Sequence, residues 1–429
     1  MYYILNLVHN YSMKNIIIVG AGTAGTVMCH QLVKKLNAQD WKITVVDPSD
    51  LHYYQPGFLF IPFGIYKEAD VIKKQVQFIP HSVGYLQKSV DRILPEKKCI
   101  VFLDGSEINY DILIIATGSQ IAPSETAGLL DSGWRKNIFD FYTFDGSVAL
   151  HKALKNWKGG KLVIHINEMP IKCPVAPLEF AFLADWWLVK NKLRNQTEII
   201  FVTPMSGAFT KPKAAKAFED LMKKKNIHVT ADFATAKIDP VNNKIISWDD
   251  REVKYDMLVT VPTNMGSDVI ARSNMGDELN FVPTHKHTLQ SKKHNEIFVI
   301  GDATDLPASK AGSVVHFQSE ILIENILKFM NGESLTEGFD GHANCFIETG
   351  YGKAFLIDFN YEQEPVEGTF PFSGFGPLQL LKESRMNHWG KLAFRWIYWK
   401  ILLKAYKIPF VTSRMSLIGK QLSSINKEM

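Results

Sequence analysis

Short aliphatic runs, each closing on a turn residue, punctuate the first three hundred positions of the chain. Asn15 to Gly20 (NIIIVG) is a continuous apolar run rich in Ile and Val, the composition of a strand buried on both faces of a parallel sheet. A helix-like stretch runs from the glycines after it to about Asn37, and a second strand, Lys42 to Val46, ends in Asp47. Comparable runs recur at Tyr110 to Gly118, from Leu162, at Glu198 to Val202 and at Glu296 to Asp302. The chain also repeats itself: CIVFLDGSEINYDILII (99 to 115) matches KIISWDDREVKYDMLVT (244 to 260). Each reads as a hairpin with an acidic turn leading through Tyr-Asp-x-Leu into a buried strand. Strand, helix and repeat together predict an α/β fold with two tandem Rossmann-like dinucleotide-binding domains. The expected division is 13–155 for the first part of one domain, 156–265 for the second domain and 266–330 for the return to the first. Residues 331–429 then form a separate C-terminal region.

The pattern changes after residue 370. Phe370 to Pro377 is an apolar, kinked segment, suited to line a channel or to pack as a loop. In Met386 to Lys407, Leu392, Trp396, Trp399 and Leu403 fall at helical spacing, and Phe394, Ile397, Ile401 and Tyr406 widen the apolar face. Lys391, Arg395, Lys400, Lys404 and Lys407 supply basic heads with no acid between them. This predicts an amphipathic membrane-binding helix in a bilayer interface, with a helix packed on the body or on a dimer partner as the competing reading. A second short segment, Phe410 to Leu422, adds contact area. No apolar run reaches the ~20 residues of a membrane span. The first twelve residues lack a basic n-region and a cleavage site, so neither a signal peptide nor a transmembrane helix is expected. The expected location is peripheral, monotopic, on the cell membrane.

Composition narrows the classes. A chain of 429 residues holds two or three domains, and 46% hydrophobic with 21% charged residues is globular. With 48 basic and 44 acidic residues the net charge of +4 gives no case for nucleic acid, and self-association into a homo-oligomer stays open. The four cysteines, 29, 99, 173 and 345, form neither metal-type spacing nor a disulfide framework, and no metal is expected.

The chemistry begins at Gly20-Ala21-Gly22-Thr23-Ala24-Gly25. Between a strand and a helix, these glycines allow a tight turn and close backbone approach, and the helix N-terminus accepts a pyrophosphate; Asp47 is placed for a ribose hydroxyl. Ala116-Thr117-Gly118, Gly301-Asp302 and the helix opened by Ser309-Lys310-Ala311-Gly312 resemble flavoproteins of the glutathione-reductase superfamily. The resemblance implies FAD, held by Gly20, Gly22, Gly25, Asp47, Thr117, Gly118, Gly301, Asp302, Lys310 and Gly312. The second unit lacks these features. His165, Asn167 and Pro170 stand near the glycine positions, and its second strand ends in Thr203-Pro204 where the first has Asp47-Pro48. NAD(P)H should bind there poorly. The altered loop instead carries Glu168 and Cys173, and a thiol at a helix start beside Lys172 should have a lowered pKa. Taken alone, Cys173 also fits a buried packing cysteine. Cys345 supplies a second isolated cysteine, while Cys29 and Cys99 read as structural.

With these residues the chain, from about Met13 onward, resembles the sulfide:quinone oxidoreductases, in a two-cysteine branch. The resemblance rests on Gly20-x-Gly22-x-x-Gly25, Ala116-Thr117-Gly118, Cys173 with Glu179, Gly301-Asp302 and Cys345-Phe346. It implies a redox pair, Cys173 and Cys345, that takes sulfur from sulfide and releases it as polysulfide, and electrons that pass through FAD to a membrane quinone. Glu179 is placed to handle protons or to sit as a helix-start carboxylate. Phe346, Phe372, Phe375 and Lys391 are the expected quinone contacts. The third cysteine of the best-known members has no counterpart between Cys99 and Cys173. Three rivals share part of the pattern. The flavoprotein subunit of a flavocytochrome c sulfide dehydrogenase should carry an export signal and lack the basic-aromatic tail. A type II NADH:quinone oxidoreductase needs the second glycine loop. A flavin-binding membrane redox sensor needs neither cysteine.

Overall fold

The computed structural model describes residues 13–372, 374–417 and 420–421. The expectations for the first twelve residues, and part of the Phe410 to Leu422 segment, lie outside them. Two five-stranded parallel sheets form the frame. The first runs, in spatial order, Ile297–Val299, Ile112–Ile115, Lys14–Val19, Trp41–Val46, Gly84–Leu86. The second runs Ile138–Phe139, Met257–Val261, Gly160–Ile166, Thr197–Val202, Ile227–Thr230. Helices or loops cover both faces, so the strand sequences are continuously apolar; Ile16, Ile17 and Ile18 are all fully buried. The internal repeat is structural as well. Cys99–Phe102 and Glu107–Asn109 pair antiparallel and lead into Ile112–Ile115, as Lys244–Ser247 and Glu252–Lys254 lead into Met257–Val261.

The C-terminal region departs from expectation. Residues 331–429 contribute a five-stranded sheet: Ala343–Gly350, Lys353–Phe359, Leu378–Leu380, Glu367–Phe370 and Lys420–Gln421. Its leading hairpin turns at Tyr351 and Gly352, both with positive φ (55° and 68°), the conformation that matches strand twist in a two-residue turn. Tyr-Gly between two apolar runs was the available signal. The predicted helix also differs. It is α-helical over Arg385–Ile397 and continues as a single π-helical turn over Tyr398–Leu402. Trp399 and Leu403 pack into the body, whereas Trp389 and Trp396 remain exposed. The expected lipid face is therefore split, because a periodic apolar stripe does not say whether protein or lipid covers it. Two of the expected lipid-facing cations are engaged by the protein instead: Arg395 pairs with Asp70 at 2.8 Å near the surface, and Lys391 turns inward to the site described below.

Asn387 anchors this helix. Fully buried, its Oδ1 accepts the Gln379 N–H at 3.0 Å, and its Nδ2 faces the carbonyls of Gln379, Ala354 and Lys382 at 2.8–3.1 Å. Replacing it leaves several backbone groups unpaired in the interior. Asn387→Ala should lower unfolding free energy by about 2–3 kcal/mol, read from the urea midpoint of tryptophan fluorescence; a loss below about 1 kcal/mol would show that the anchor is redundant.

Candidate functional site

A cavity of about 430 Å³ lies at the carboxyl ends of the first sheet's strands. The glycine loop, the altered loop of the second unit and the C-terminal sheet and helix all border it. Its nucleotide side follows from clearances. Gly20 takes φ +100°, and a Cβ there would stand 2.4 Å from the Ala116 carbonyl oxygen. At Gly25 a Cβ would meet the Gly20 oxygen at 1.8 Å, so this glycine packs the first helix onto its strand. Around Gly22, Gly118 and Gly312 a Cβ would meet nothing within 4 Å, leaving backbone open to a ligand. No side chain caps the helix Thr23–Lys35 or the helix Gly312–Met330 at its N-terminus. Thr117 Oγ1 borders the same space, buried and without a partner. Free N–H groups at two helix starts, open glycines and an orphaned hydroxyl fit the pyrophosphate and polar tail of FAD.

The two expected charged contacts are partly engaged already. Asp47 accepts the N–H groups of Ala21 (2.7 Å) and Ser49 (2.8 Å), which fixes its carboxylate at the end of its strand. Lys310 is buried, and its ammonium donates to the carbonyls of Thr304 (2.6 Å) and Asp302 (3.1 Å). It braces the Gly301–Asp302 turn, and the ring of Phe281 lies 4.0 Å away. Burial raises the pKa of Asp302, and Lys310 and Lys172 oppose that shift.

On the other side, Cys173 and Cys345 line the cavity as free thiols. Cys173 is held at φ +48° by three hydrogen bonds: its N–H to Lys310 O (2.8 Å), and its carbonyl from Ala176 N–H (2.9 Å) and Tyr142 O–H (3.2 Å). A non-glycine residue in this region persists only where its surroundings fix it. Cys345 sits on the hairpin strand opposite Ile357. Glu179, 1% exposed, lines the same cavity from the helix Ala176–Lys190. Its Oε1 accepts Lys391 Nζ and the Glu348 N–H, both at 2.7 Å. Lys391 also donates to Phe346 O at 2.9 Å. Phe346 fits against the C-terminal helix at Gly390, where a Cβ would lie 2.7 Å from its ring.

The electrostatics overturn one expectation. Burial, reinforced by Glu179, pushes the Cys173 thiol up, and Lys391 only partly offsets it. Cys345 is pushed up to about 12 by burial, again with Lys391 opposing. Lys172 attracts the Cys173 thiolate but does not bring the pKa down as expected: its ammonium reaches Gln55 at 3.1 Å, burial lowers its own pKa, and burial of the sulfur prevails. Desolvation outweighs the helix start. Lys391 behaves oppositely, since Glu179 and the two thiols outweigh burial and raise it. Cys29 and Cys99 are buried away from the cavity. Phe372 and Phe375 are not among its lining residues either; they stack at 5.5 Å, exposed, with Phe410 edge-on. Sequence reasoning missed Glu348, whose carboxylate meets His388 Nδ1 at 2.9 Å, and the side chains of His52, Tyr142 and Tyr398. None lies in a recognisable motif.

A family model described as pyridine nucleotide-disulphide oxidoreductase matches residues 14–164. The mitochondrial sulfide:quinone oxidoreductase of Mus musculus is 28% identical over 400 residues, 91% of this chain and 86% of the relative. That of Dictyostelium discoideum is 29% identical over 409 residues, 93% of this chain and 90% of the relative. Among solved structures, the sulfide:quinone oxidoreductase from Aquifex aeolicus superposes with TM-score 0.76 at 19% identity, over 92% of both chains.

Glu348 gives the site a pH signature. Burial pushes its carboxyl up to about 7 from 4.5, with His388 holding it back. Its contribution to stability is full below the unfolded value and is lost as pH rises through the folded one. Relative to Glu348→Gln, the wild type should lose about 3 kcal/mol between pH 4.5 and 8, measured by urea unfolding across that window. A difference that does not change with pH would contradict the raised pKa.

Proposed function

We propose that this homologue of the sulfide:quinone oxidoreductases, an FAD-dependent enzyme, oxidises sulfide at Cys173 and Cys345 and delivers the electrons to a membrane quinone. One observation carries the reading: two cysteines from different parts of the chain line one cavity with the FAD glycine loop, around a buried Glu179–Lys391 pair. Bound FAD supplies a two-electron acceptor for the sulfur side and a donor for the quinone. The protein's part begins once Cys173 and Cys345, free thiols in this structure, are joined as a disulfide, an oxidation whose two electrons the flavin would accept. Hydrosulfide attacks one sulfur; the S–S bond breaks, a persulfide forms on that cysteine and the other leaves as thiolate. Lys391 favours the thiolate form of both cysteines, so it stabilises whichever sulfur departs. Glu179, which accepts a hydrogen bond from Lys391, takes up the proton that the persulfide releases when it ionises.

The second unit argues against nicotinamide as the donor. His165 lies within the strand Gly160–Ile166, buried and bonded through both ring nitrogens to Thr260 (2.9 Å) and Thr235 (2.8 Å), and residues 167–175, where an open glycine turn would be needed, contain no glycine. For the acceptor, Phe346 and Lys391 are the quinone contacts we favour. Phe372, Phe375, Phe410, Trp389 and Trp396 are exposed, and we assign them to contact with a lipid surface. No helix among the described residues is long and apolar enough to cross a membrane.

Anaerobic mixing of the oxidised flavoprotein with sulfide should bleach the flavin, and a short-chain quinone should restore it. Bleaching by NADH and not by sulfide would overturn the proposal. Cys173→Ala and Cys345→Ala should each cut sulfide turnover at least about a thousandfold with flavin retained; full activity in either removes the paired mechanism. Because the tail helix is partly core, the lipid contact is better tested by point charges than by truncation. Trp389→Glu with Trp396→Glu should weaken binding to anionic liposomes by about a hundredfold while the flavin stays bound. Undiminished co-sedimentation would rule out this surface.

A further inference from the structure

A chain of buried polar side chains joins the C-terminal helix to the glycine loop. Tyr398 Oη lies 2.7 Å from Thr23 Oγ1 and 2.7 Å from His52 Nε2. His52 Nδ1 lies 2.7 Å from Gln75 Oε1, and Gln75 Nε2 donates to Thr26 Oγ1 at 3.1 Å. Thr26 Oγ1 in turn donates to the Ala21 carbonyl at 2.7 Å. Tyr398, His52, Gln75 and Thr26 are each at most 2% exposed, so water does not substitute for any of these bonds.

The direction of every bond follows from one end. Thr26 gives its proton to Ala21 O and so accepts from the Gln75 amide nitrogen. That orients Gln75 with its oxygen toward His52 Nδ1, which must carry the proton. Burial pushes the His52 pKa down to about 4, so the ring is neutral and Nε2 is an acceptor. Tyr398 therefore donates to His52, and its oxygen accepts from Thr23. The Thr23 hydroxyl proton is committed to Tyr398. One chain thus holds the loop at two places, Ala21 and Thr23, on either side of the open Gly22.

The same helix is clamped at a second place. Lys34, near the end of the helix that follows the loop, donates to the carbonyls of Lys404 (2.9 Å) and Ala405 (2.6 Å). The π-helical turn begins at Tyr398 and lets Tyr398 and Trp399, neighbours in sequence, both enter the core.

We infer that Tyr398 is a positioning residue of the FAD site: docking of the C-terminal helix sets the shape of the pyrophosphate loop through Thr23 and Ala21, so flavin affinity depends on that helix. The inference requires FAD in the loop but not sulfide as substrate, and a flavin-binding assay tests it whatever the reaction. Tyr398→Phe deletes the hydroxyl and keeps the ring against Tyr54. Its FAD dissociation constant, from titration of apoprotein, should rise about tenfold, the loss of one buried hydrogen bond. Thr23→Val, at the other end of the bond, should give the same rise, and the double variant no more than either single one. Trp399→Phe is the control on the same helix turn. It stacks on Phe78, meets the His52 and Tyr398 rings edge-on and makes no hydrogen bond to the chain; the phenyl ring keeps an aromatic there, so the change should lower the thermal midpoint while leaving FAD affinity within about twofold. Wild-type affinity in Tyr398→Phe would overturn the inference. So would a loss in Trp399→Phe as large as in Tyr398→Phe, since that would be general loosening. If Tyr398→Phe does not fold, Thr23→Val decides alone.

Discussion

One carboxylate holds the site together. Glu179 belongs to the second Rossmann-like unit, its Lys391 partner to the C-terminal helix, and the Glu348 N–H that it accepts to the strand carrying Cys345. Three parts of the chain meet at one oxygen, Glu179 Oε1. Burying both charges costs several kcal/mol per ion, which the 2.7 Å contact and the added hydrogen bonds offset. Neither partner can leave alone without stranding the other, so the pair fixes geometry more than it adds stability. What it fixes is the approach of the altered loop, with Cys173, to the C-terminal hairpin, with Cys345.

The same burial sets the chemistry. A closed, low-dielectric cavity disfavours free thiolates and therefore favours sulfur in bonded or protonated form. Lys391 is the counterweight for both cysteines. In the proposed reaction a sulfur that departs as an anion finds its compensation beside Lys391, and a sulfur at rest does not need it. This is the arrangement expected where thiolate is transient, in contrast to a permanently activated nucleophile at an exposed helix start.

The nucleotide frame was legible in the sequence because it depends on local rules. Aliphatic runs make buried parallel strands, Gly20 and Gly25 are each required by a specific clearance, and Gly22 leaves backbone open to a ligand. The hairpin repeat was legible because both copies keep the Tyr-Asp corner before a central strand. What escaped depends on distant partners. Lys391 reads as a lipid-facing cation on any helical wheel, and only Glu179, in a remote part of the chain, turns it inward. Lys172 adjoins Cys173 in sequence, yet its ammonium goes to Gln55. Beyond its leading hairpin the C-terminal sheet was hidden because its remaining strands are short and their pairings non-local, Lys353–Phe359 with Leu378–Leu380 among them. Phe372 and Phe375 share the apolar character of channel residues, and composition alone does not separate a channel from an exposed rim.

The C-terminal helix resolves into two faces with the same spacing. Lys391 and Tyr398 are seven residues apart and both turn inward, one to the cysteines and one to the glycine loop. Trp389 and Trp396 are also seven apart, and both are exposed. At 3.6 residues per turn, the offset of two residues between these pairs sets them on nearly opposite sides of the helix, about 200° apart. One helix can therefore meet an apolar surface with one side while its other side spans the sulfur and nucleotide ends of a single cavity. A foot that served only for attachment would not need Lys391 or Tyr398. Their presence makes the helix part of the site's wall, and the single stripe read from sequence periodicity divides between its two sides, Trp396 outside and Trp399 and Leu403 in the body.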